Sequence, residues 1–224
     1  MEIEAGRWRV RLTDVAGAPA ALALRARIFR GGSCDRDAFD ADARHLVIVG
    51  EGGDAVACAR LSVQVGDAVN RGYSARFYDL SAFARAFPRA LEVGRICFAP
   101  GPADPDVPRL VLAAVARVVE EERVTALHGC TSFPLADACL GGLARHVAPS
   151  DWAPTRIAPE TRALSGPDGS LPPLLRSYLS LGARVSDHAV VDRDLGTVHV
   201  HTALPVADIP RGRARLLSGM LAPV

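Results

Sequence analysis

Glu92 and Arg95 stand three residues apart in LEVGRICFAP, Leu91 to Pro100, an otherwise apolar run with Gly94 between the two charges. In a regular strand, residues i and i+3 face opposite ways. A bulge adds one residue and returns both to one side, and glycine is its usual occupant. The spacing therefore predicts a bulged strand with both charges facing one cleft and a backbone N–H released from the ladder. A buried carboxylate and a free N–H are what acyl transfer needs: a proton acceptor for the nucleophile and a donor for the oxyanion. A structural Glu–Arg pair would use the same two residues, and this stretch alone does not separate the readings.

Other charged residues recur in short patterns. Arg25 and Phe29 lie four apart, Asp37 and Asp40 three apart in DRDAFD, and Arg60 ends AVACAR. Tyr73 and Ser74 sit in the loop RGYSARFYDLSAF, where they line a cleft or simply shape the loop. For Asp37 the plain alternative is a turn residue, and for Asp40 a solvated loop charge. His128 and Cys130 are two apart and share a strand face; a Cys–His pair forms acyl-enzymes. The reading preferred here is a core thiol and a satisfied histidine, because free cysteine is among the most buried residue types. His199 and His201 also share a face, but two histidines without a third ligand assign no metal site.

These residues need elements to hold them. RWRVRL alternates arginine with Trp8, Val10 and Leu12, a half-buried strand. Residues 18–30 read as a helix ended by Gly31-Gly32. HLVIVG and AVACARLSVQV form a hairpin across EGGD, and the strand of Glu92 follows a loop and a short helix. Val107, Leu110, Val111, Ala114, Val115, Val118 and Val119 make one apolar helical stripe, with Asp106 as its expected N-cap. TALHGC is a strand, residues 135–147 are expected to be helical and 148–170 irregular. PPLLRSYLSLG is a short helix, and HAVVD and TVHVHTAL are strands. This order, β-α-β-β-β-α-β-α-β-β, predicts a mixed central sheet with flanking helices in a single domain, 1–224.

Composition narrows the function classes. Of 224 residues, 49% are hydrophobic and 23% charged, as in a globular protein with a full core. Net charge is +1, which argues against a nucleic-acid partner. Every basic residue besides the histidines is arginine, so any local basic patch is made of guanidinium groups suited to carboxylates and phosphates. Five cysteines without a CxxC pair, and an N-terminus without an apolar leader run, lead us to expect reduced thiols in the cytoplasm. The longest apolar run, LVLAAVA, is too short to span a bilayer. The tail IPRGRARLLSGML interleaves Arg211, Arg213 and Arg215 with Ile209, Leu216, Leu217, Met220 and Leu221. As a helix it would suit an anionic membrane surface or an acidic partner; packed on the core, its leucines would be structural.

The ordered set R-x3-F, D-x2-D, R and E-x2-R resembles the N-terminal half of acyl-homoserine lactone synthases. The blocks RGYSARFYDLSAF, LEVGRICFAP, LHGCTSF and LPPLLRSYLSLGARVSDHAVVDRDLGTVHV resemble a related family, the ornithine–acyl-carrier-protein N-acyltransferases. The resemblance runs from about Leu24 to His201. It implies an α/β (α+β) GNAT-like acyltransferase fold with a bulged or splayed strand. The implied activity is transfer of a (3-hydroxy)fatty acyl group from acyl-carrier protein to the α-amine of L-ornithine, giving lyso-ornithine lipid. The donor would be the acyl-phosphopantetheine of the carrier, with no bound cofactor and no metal.

The same resemblance implies roles. Glu92 would accept the amine proton, and Arg95 would orient Glu92 or the acyl chain's polar head. Arg25, Phe29, Asp37, Asp40, Arg60, Tyr73 and Ser74 would form the acceptor side, with Asp37 and Asp40 receiving an ammonium and Arg60 a carboxylate. Ile96, Cys97 and Phe98 would line the oxyanion and acyl-pantetheine position. The chain departs from the pattern in PGPADPDVPR, which lacks the usual basic or aromatic residue, and in the short segment after GCTSF. It also lacks a Q/R-x2-G-x-G/A loop, the usual coenzyme A cradle, which favours a carrier-protein donor. Alternatives are another amino acid or signal-synthase amine as acceptor, and a non-catalytic relative that binds carrier or lipid.

Overall fold

The structure is a computed structural model that describes residues 1–101, 104–136, 140–166 and 169–219. In chain order its elements are β1 (Glu2–Ala5), β2 (Trp8–Thr13), α1 (Pro19–Arg30), β3 (Arg44–Val49), β4 (Ala55–Val65) and β5 (Tyr78–Asp79). Then come α2 (Ser81–Ala86), β6 (Arg89–Phe98), α3 (Asp106–Glu121), β7 (Ala126–Pro134), β8 (Thr155–Arg156) and β9 (Thr161–Ala163). The chain continues with α4 (Pro173–Ser180), β10 (Arg184–Val185), β11 (His188–Asp192), β12 (Thr197–Pro205) and α5 (Arg211–Gly219). It divides into two compact units. One comprises Met1–Val63, Val93–Arg123 and the segment from Pro210; the other comprises Gln64–Glu92 and Val124–Ile209.

In the first unit, β1, β2, β3 and β4 pair antiparallel in sequence order, and β6 follows β4. α1 lays Ala21 and Leu24 on Val47, Val49, Ala55, Cys58 and Cys97. It begins at Pro19, whose fixed φ suits a first helical turn, and stops at Gly31, which takes φ 57°, a conformation that penalises residues with a Cβ. The stripe predicted on α3 is realised: Val107, Leu110, Val111, Ala114, Val115 and Val118 are buried and Val119 half-buried. Its N-cap differs from expectation. Asp106 is the first helical residue, and the Asp104 carboxylate accepts its N–H at 2.8 Å instead. Pro105 occupies the cap position and has no side chain that can accept a bond.

In the second unit the order is β6, β7, β12, β11, β9. β6 runs parallel to β7 with Ala90, Leu91 and Glu92 opposite Ala126, Leu127 and His128, and the described register stops there. β7 and β12 pair antiparallel over nine residues, which puts His201 opposite Cys130 and Ala203 opposite His128. One core cluster gathers Tyr78, Phe83, Trp152 and Val190; another gathers Phe133, Leu143, Leu175 and Val198. Two expectations change here. Within 135–147 the described helical residues are a 3₁₀ segment, Gly141–His146, whose Leu143 joins its N-cap residue Leu140, three positions before, in the core. The segment expected to be irregular carries β8 and β9: its Thr161–Ala163 joins the sheet by pairing with β11. Four of the sequence's proline residues, Pro149, Pro154, Pro159 and Pro167, interrupt that stretch and hide the short strands.

Candidate functional site

Each unit holds a buried polar cluster, and the two differ in kind. The first unit's cluster is built on α1. Arg25 donates from Nε to Asp35 Oδ2 (2.9 Å), from Nη1 to Asp40 Oδ1 (2.6 Å), and from Nη2 to the Asp35 carbonyl (2.7 Å) and Asp40 Oδ2 (3.1 Å). Arg30 and Arg95 also donate to the Asp35 carboxylate, at 3.1 and 2.9 Å. Arg60 Nη1 donates to Asp37 Oδ1 at 2.5 Å and to Asp40 Oδ1 at 3.3 Å. Asp37 and Asp40 form a reciprocal capping box on the 3₁₀ turn Ala38–Asp40, each side chain accepting the other's backbone N–H or its neighbour's.

The charges at its centre, Arg25, Asp35, Asp40 and Arg60, are buried and paired. Asp40 is 0% exposed, so it is no solvated loop charge. Burial pushes its carboxyl up, but the Arg25 hydrogen bond, the Asp37 N–H and the charges of Arg25 and Arg60 outweigh that and bring its pKa to about 2. Burial likewise opposes the charge on Arg25, and its bonds to Asp40 and Asp35 overcome it. Phe29, one turn after Arg25, sits under the Arg95 guanidinium at 5.6 Å, and Phe39 under that of Arg60 at 5.5 Å. Of the carboxylates here, Asp37 keeps open surface, its side chain 24% exposed against 1% for Asp35.

Glu92 sits in the second unit, 6% exposed, and its oxygens accept three hydrogen bonds. The Tyr73 N–H reaches Oε2 at 3.0 Å, the Ser74 N–H reaches Oε1 at 2.6 Å, and Gln64 Nε2 reaches Oε2 at 2.8 Å. Tyr73 and Ser74 thus act through their backbone. Gly72 lets that loop come so close: a Cβ there would lie 2.2 Å from Gln64 Nε2 and 2.6 Å from Glu92 Oε2. The described bonds of Arg95 go to Asp35 and Asp37 rather than to Glu92. The irregular backbone expected at Gly94 falls on Arg95 itself, at φ 52°. Its guanidinium is held by two carboxylates and a ring, contacts that offset the cost of a left-handed residue with a Cβ.

Gln64 leads onward. Its Oε1 lies 2.9 Å from His128 Nε2, and His128 Nδ1 lies 3.2 Å from His201 Nε2. Burial lowers the His128 pKa to about 3 and that of His201 well below its ordinary value, so both imidazoles are neutral. Both His128 nitrogens are therefore occupied, and it does not serve as a base for Cys130, whose thiol lies 3.5 Å from the Ser74 hydroxyl. His199 turns Nδ1 to the Tyr78 hydroxyl at 3.2 Å. Cys97 places its thiol 3.4 Å from Cys58, inside the first unit's core, while Ile96 and Phe98 on the alternate face are half-buried. Four residues with clear roles in this geometry were missed from sequence: Asp35, Gln64, Gly72 and His201 as a partner of His128. Asp35 lay in the acidic run CDRDAFD, and Gln64 was the lone amide of an apolar strand.

Known proteins are similar to this chain in sequence and in fold. A model of the acetyltransferase (GNAT) domain matches residues 24–113, which carry Arg25 through Arg95. An L-ornithine N(alpha)-acyltransferase of Agrobacterium fabrum is 28% identical over 91% of this chain and 76% of its own length. One of Rhizobium meliloti is 30% identical over 78% of this chain and 68% of its own. The chain belongs to the L-ornithine N(alpha)-acyltransferase family. The N-acyltransferase has the fold that the motifs implied: a CoA-dependent acyl-homoserine lactone synthase superposes with a TM-score of 0.56, at 12% identity, over 99% of this chain and 90% of that one.

Proposed function

We propose that this N-acyltransferase moves a (3-hydroxy)fatty acyl group from the phosphopantetheine thioester of acyl-carrier protein to the α-amine of L-ornithine, giving lyso-ornithine lipid. The observation that carries the reading is Glu92, a buried carboxylate fixed by two loop amides and Gln64, in a chain whose relatives are named for that acceptor. An α-amine titrates near pH 8, so a fraction is neutral at physiological pH. The neutral amine attacks the thioester carbonyl, the C–S bond breaks as the tetrahedral intermediate collapses, and the pantetheine sulfur leaves as thiolate. Glu92 accepts the proton that the attacking nitrogen sheds, directly or through a water. No acyl-enzyme is needed.

The backbone N–H groups of Ile96 to Phe98, turned by the left-handed Arg95, would receive the oxyanion. Asp37, the exposed carboxylate of the charged cluster, would receive the side-chain ammonium of ornithine. Arg25, Asp40 and Arg60 would hold Asp37 in place rather than touch substrate, since their polar groups are buried against one another, and the Phe29 ring would hold Arg95. Arg211, Arg213, Arg215 and Leu216 of α5 are exposed, Leu216 by 62%, so the helix presents guanidinium groups beside an apolar side chain. Met220 and Leu221 lie outside the described residues. This face would bring the enzyme to anionic lipid as a peripheral protein on the cytoplasmic side. No described helix is long and apolar enough to cross a membrane.

A coenzyme A donor is the second reading, since a CoA-dependent synthase shares the fold. One assay separates them. Purified enzyme is offered 3-hydroxyacyl-carrier protein or the matching acyl-coenzyme A with a panel of amino acids, and products are read by mass spectrometry. N-acylornithine formed from the carrier thioester is the expected product. Turnover from coenzyme A alone would overturn the donor, and a different preferred amino acid the acceptor.

A further inference from the structure

We infer that Gln64, His128 and His201 are positioning residues that form a one-way hydrogen-bond chain behind Glu92, and that both histidines carry their proton on Nε2. This rests on Glu92 being the base proposed above. The direction follows from donor and acceptor chemistry alone. Glu92 is in register with His128 on the neighbouring strand, and Gln64 bridges the two side chains. A carboxylate only accepts. Gln64 must therefore present its amide NH₂ to Glu92, at 2.8 Å, and its carbonyl to His128 Nε2, at 2.9 Å. His128 must carry a proton on Nε2 to meet that carbonyl. Being neutral, it then has a bare lone pair on Nδ1. The atom facing that lone pair is His201 Nε2, at 3.2 Å, which must be the donor.

Every member is buried, so reversing any link would leave two acceptors or two donors facing each other without water to intervene. The chain does not shuttle protons: an amide cannot pass one from Glu92 to an imidazole without becoming an imidic acid. Its work is to hold Glu92 at one position with one donor. Phe83 packs on both rings, 4.9 Å from that of His128 and 5.6 Å from that of His201, and fixes their planes.

The test begins with unaltered protein. Long-range proton–nitrogen correlation on ¹⁵N-histidine-labelled enzyme reads each tautomer. Neutral Nε2–H forms of His128 and His201 at neutral pH are expected; an Nδ1–H form or an imidazolium at either residue overturns the chain. In His128→Phe, which keeps a ring but loses both nitrogens, kcat is expected to fall roughly ten- to a hundredfold, the scale of a misplaced catalytic group, with KM unchanged. Unchanged kcat in folded His128→Phe, where Glu92→Gln is inactive, overturns the positioning role. The tautomers are read without turnover, so failure of the base reading is separable. If Glu92→Gln stays active while both tautomers are as assigned, the base is wrong and the chain stands. If Glu92→Gln is inactive and a tautomer is reversed, the chain is wrong and the base stands.

Discussion

The two buried polar clusters solve one problem in opposite ways. Around Arg25 the charges are kept: guanidinium groups of Arg25, Arg30, Arg60 and Arg95 meet the carboxylates of Asp35, Asp37 and Asp40. Around Glu92 charge is removed: burial strips the proton from His128 and His201, and an amide, not a cation, is the side-chain donor to the carboxylate. A carboxylate among arginines is a poor base, as Asp40 with its pKa of about 2 illustrates. Glu92 is met by neutral donors alone among its described partners. On the mechanism proposed above, the first cluster is scaffold and the second holds the group that takes the proton.

Removing one charge from the first cluster is expected to do the most harm. Arg25→Met leaves Asp35 and Asp40 without their shared partner in a dry site. The expected loss is ~3–5 kcal/mol by urea unfolding, the usual cost of breaking a buried pair. A loss below ~1 kcal/mol would mean that the cluster is solvated. Gly72→Ala acts on the second cluster instead. The new methyl group must push Gln64 and Glu92 apart, so stability should fall by ~1–3 kcal/mol and turnover by roughly tenfold or more. Turnover equal to wild type would show that Glu92 does not need this position.

Acid should find the neutral cluster first. An unfolded imidazole binds its proton near pH 6.5, but folded His128 does so only at about 3 and folded His199 at about 4. Stability is therefore full above pH 6.5 and is lost as pH falls, by ~1.4 kcal/mol per pH unit for each such histidine. Asp40, depressed from 3.8 to about 2, adds a loss only below pH ~4. Urea midpoints at pH 7.5, 6 and 5 should fall progressively, and a flat profile over that range would contradict neutral buried histidines. The smallest effect serves as a control. Arg193 meets Glu160 through two 2.8 Å bonds, but its side chain is 74% exposed. Arg193→Ala should cost under ~1 kcal/mol and leave turnover unchanged, as surface pairs do.

Much of the fold could be read from periodicity. The α3 stripe, the hairpin of β3 and β4 and the strands around His128 and His201 follow from spacing, because side-chain direction along a helix or strand is a local property. The 3₁₀ turn at Gly141–His146 and the strands β8 and β9 did not, because two or three residues carry no period and only their distant partners fix them. The candidate site divides the same way. Glu92 and Arg95 drew notice as charges in an apolar strand, and the order of Arg25, Asp37, Asp40 and Arg60 pointed to one family. Which of them pair is a question of tertiary contact. Nearness in sequence made a Glu92–Arg95 pair one of the readings open, yet the described partners of Glu92 come from residues 64, 73 and 74. Gly72 was silent because its φ is ordinary; only the nearness of two side chains makes it matter.

The central claim is that Glu92 accepts the amine proton, and its most direct test is the turnover of Glu92→Gln with 3-hydroxyacyl-carrier protein and L-ornithine. The substitution keeps the side chain's size and its oxygen but removes its basicity. Circular dichroism should show an intact fold, and kcat should fall ~10²–10⁴-fold, the worth of a positioned general base. Raising the pH should partly restore the rate, because more of the amine is then already neutral. Turnover within tenfold of wild type at a pH where the amine is mostly charged would contradict the account.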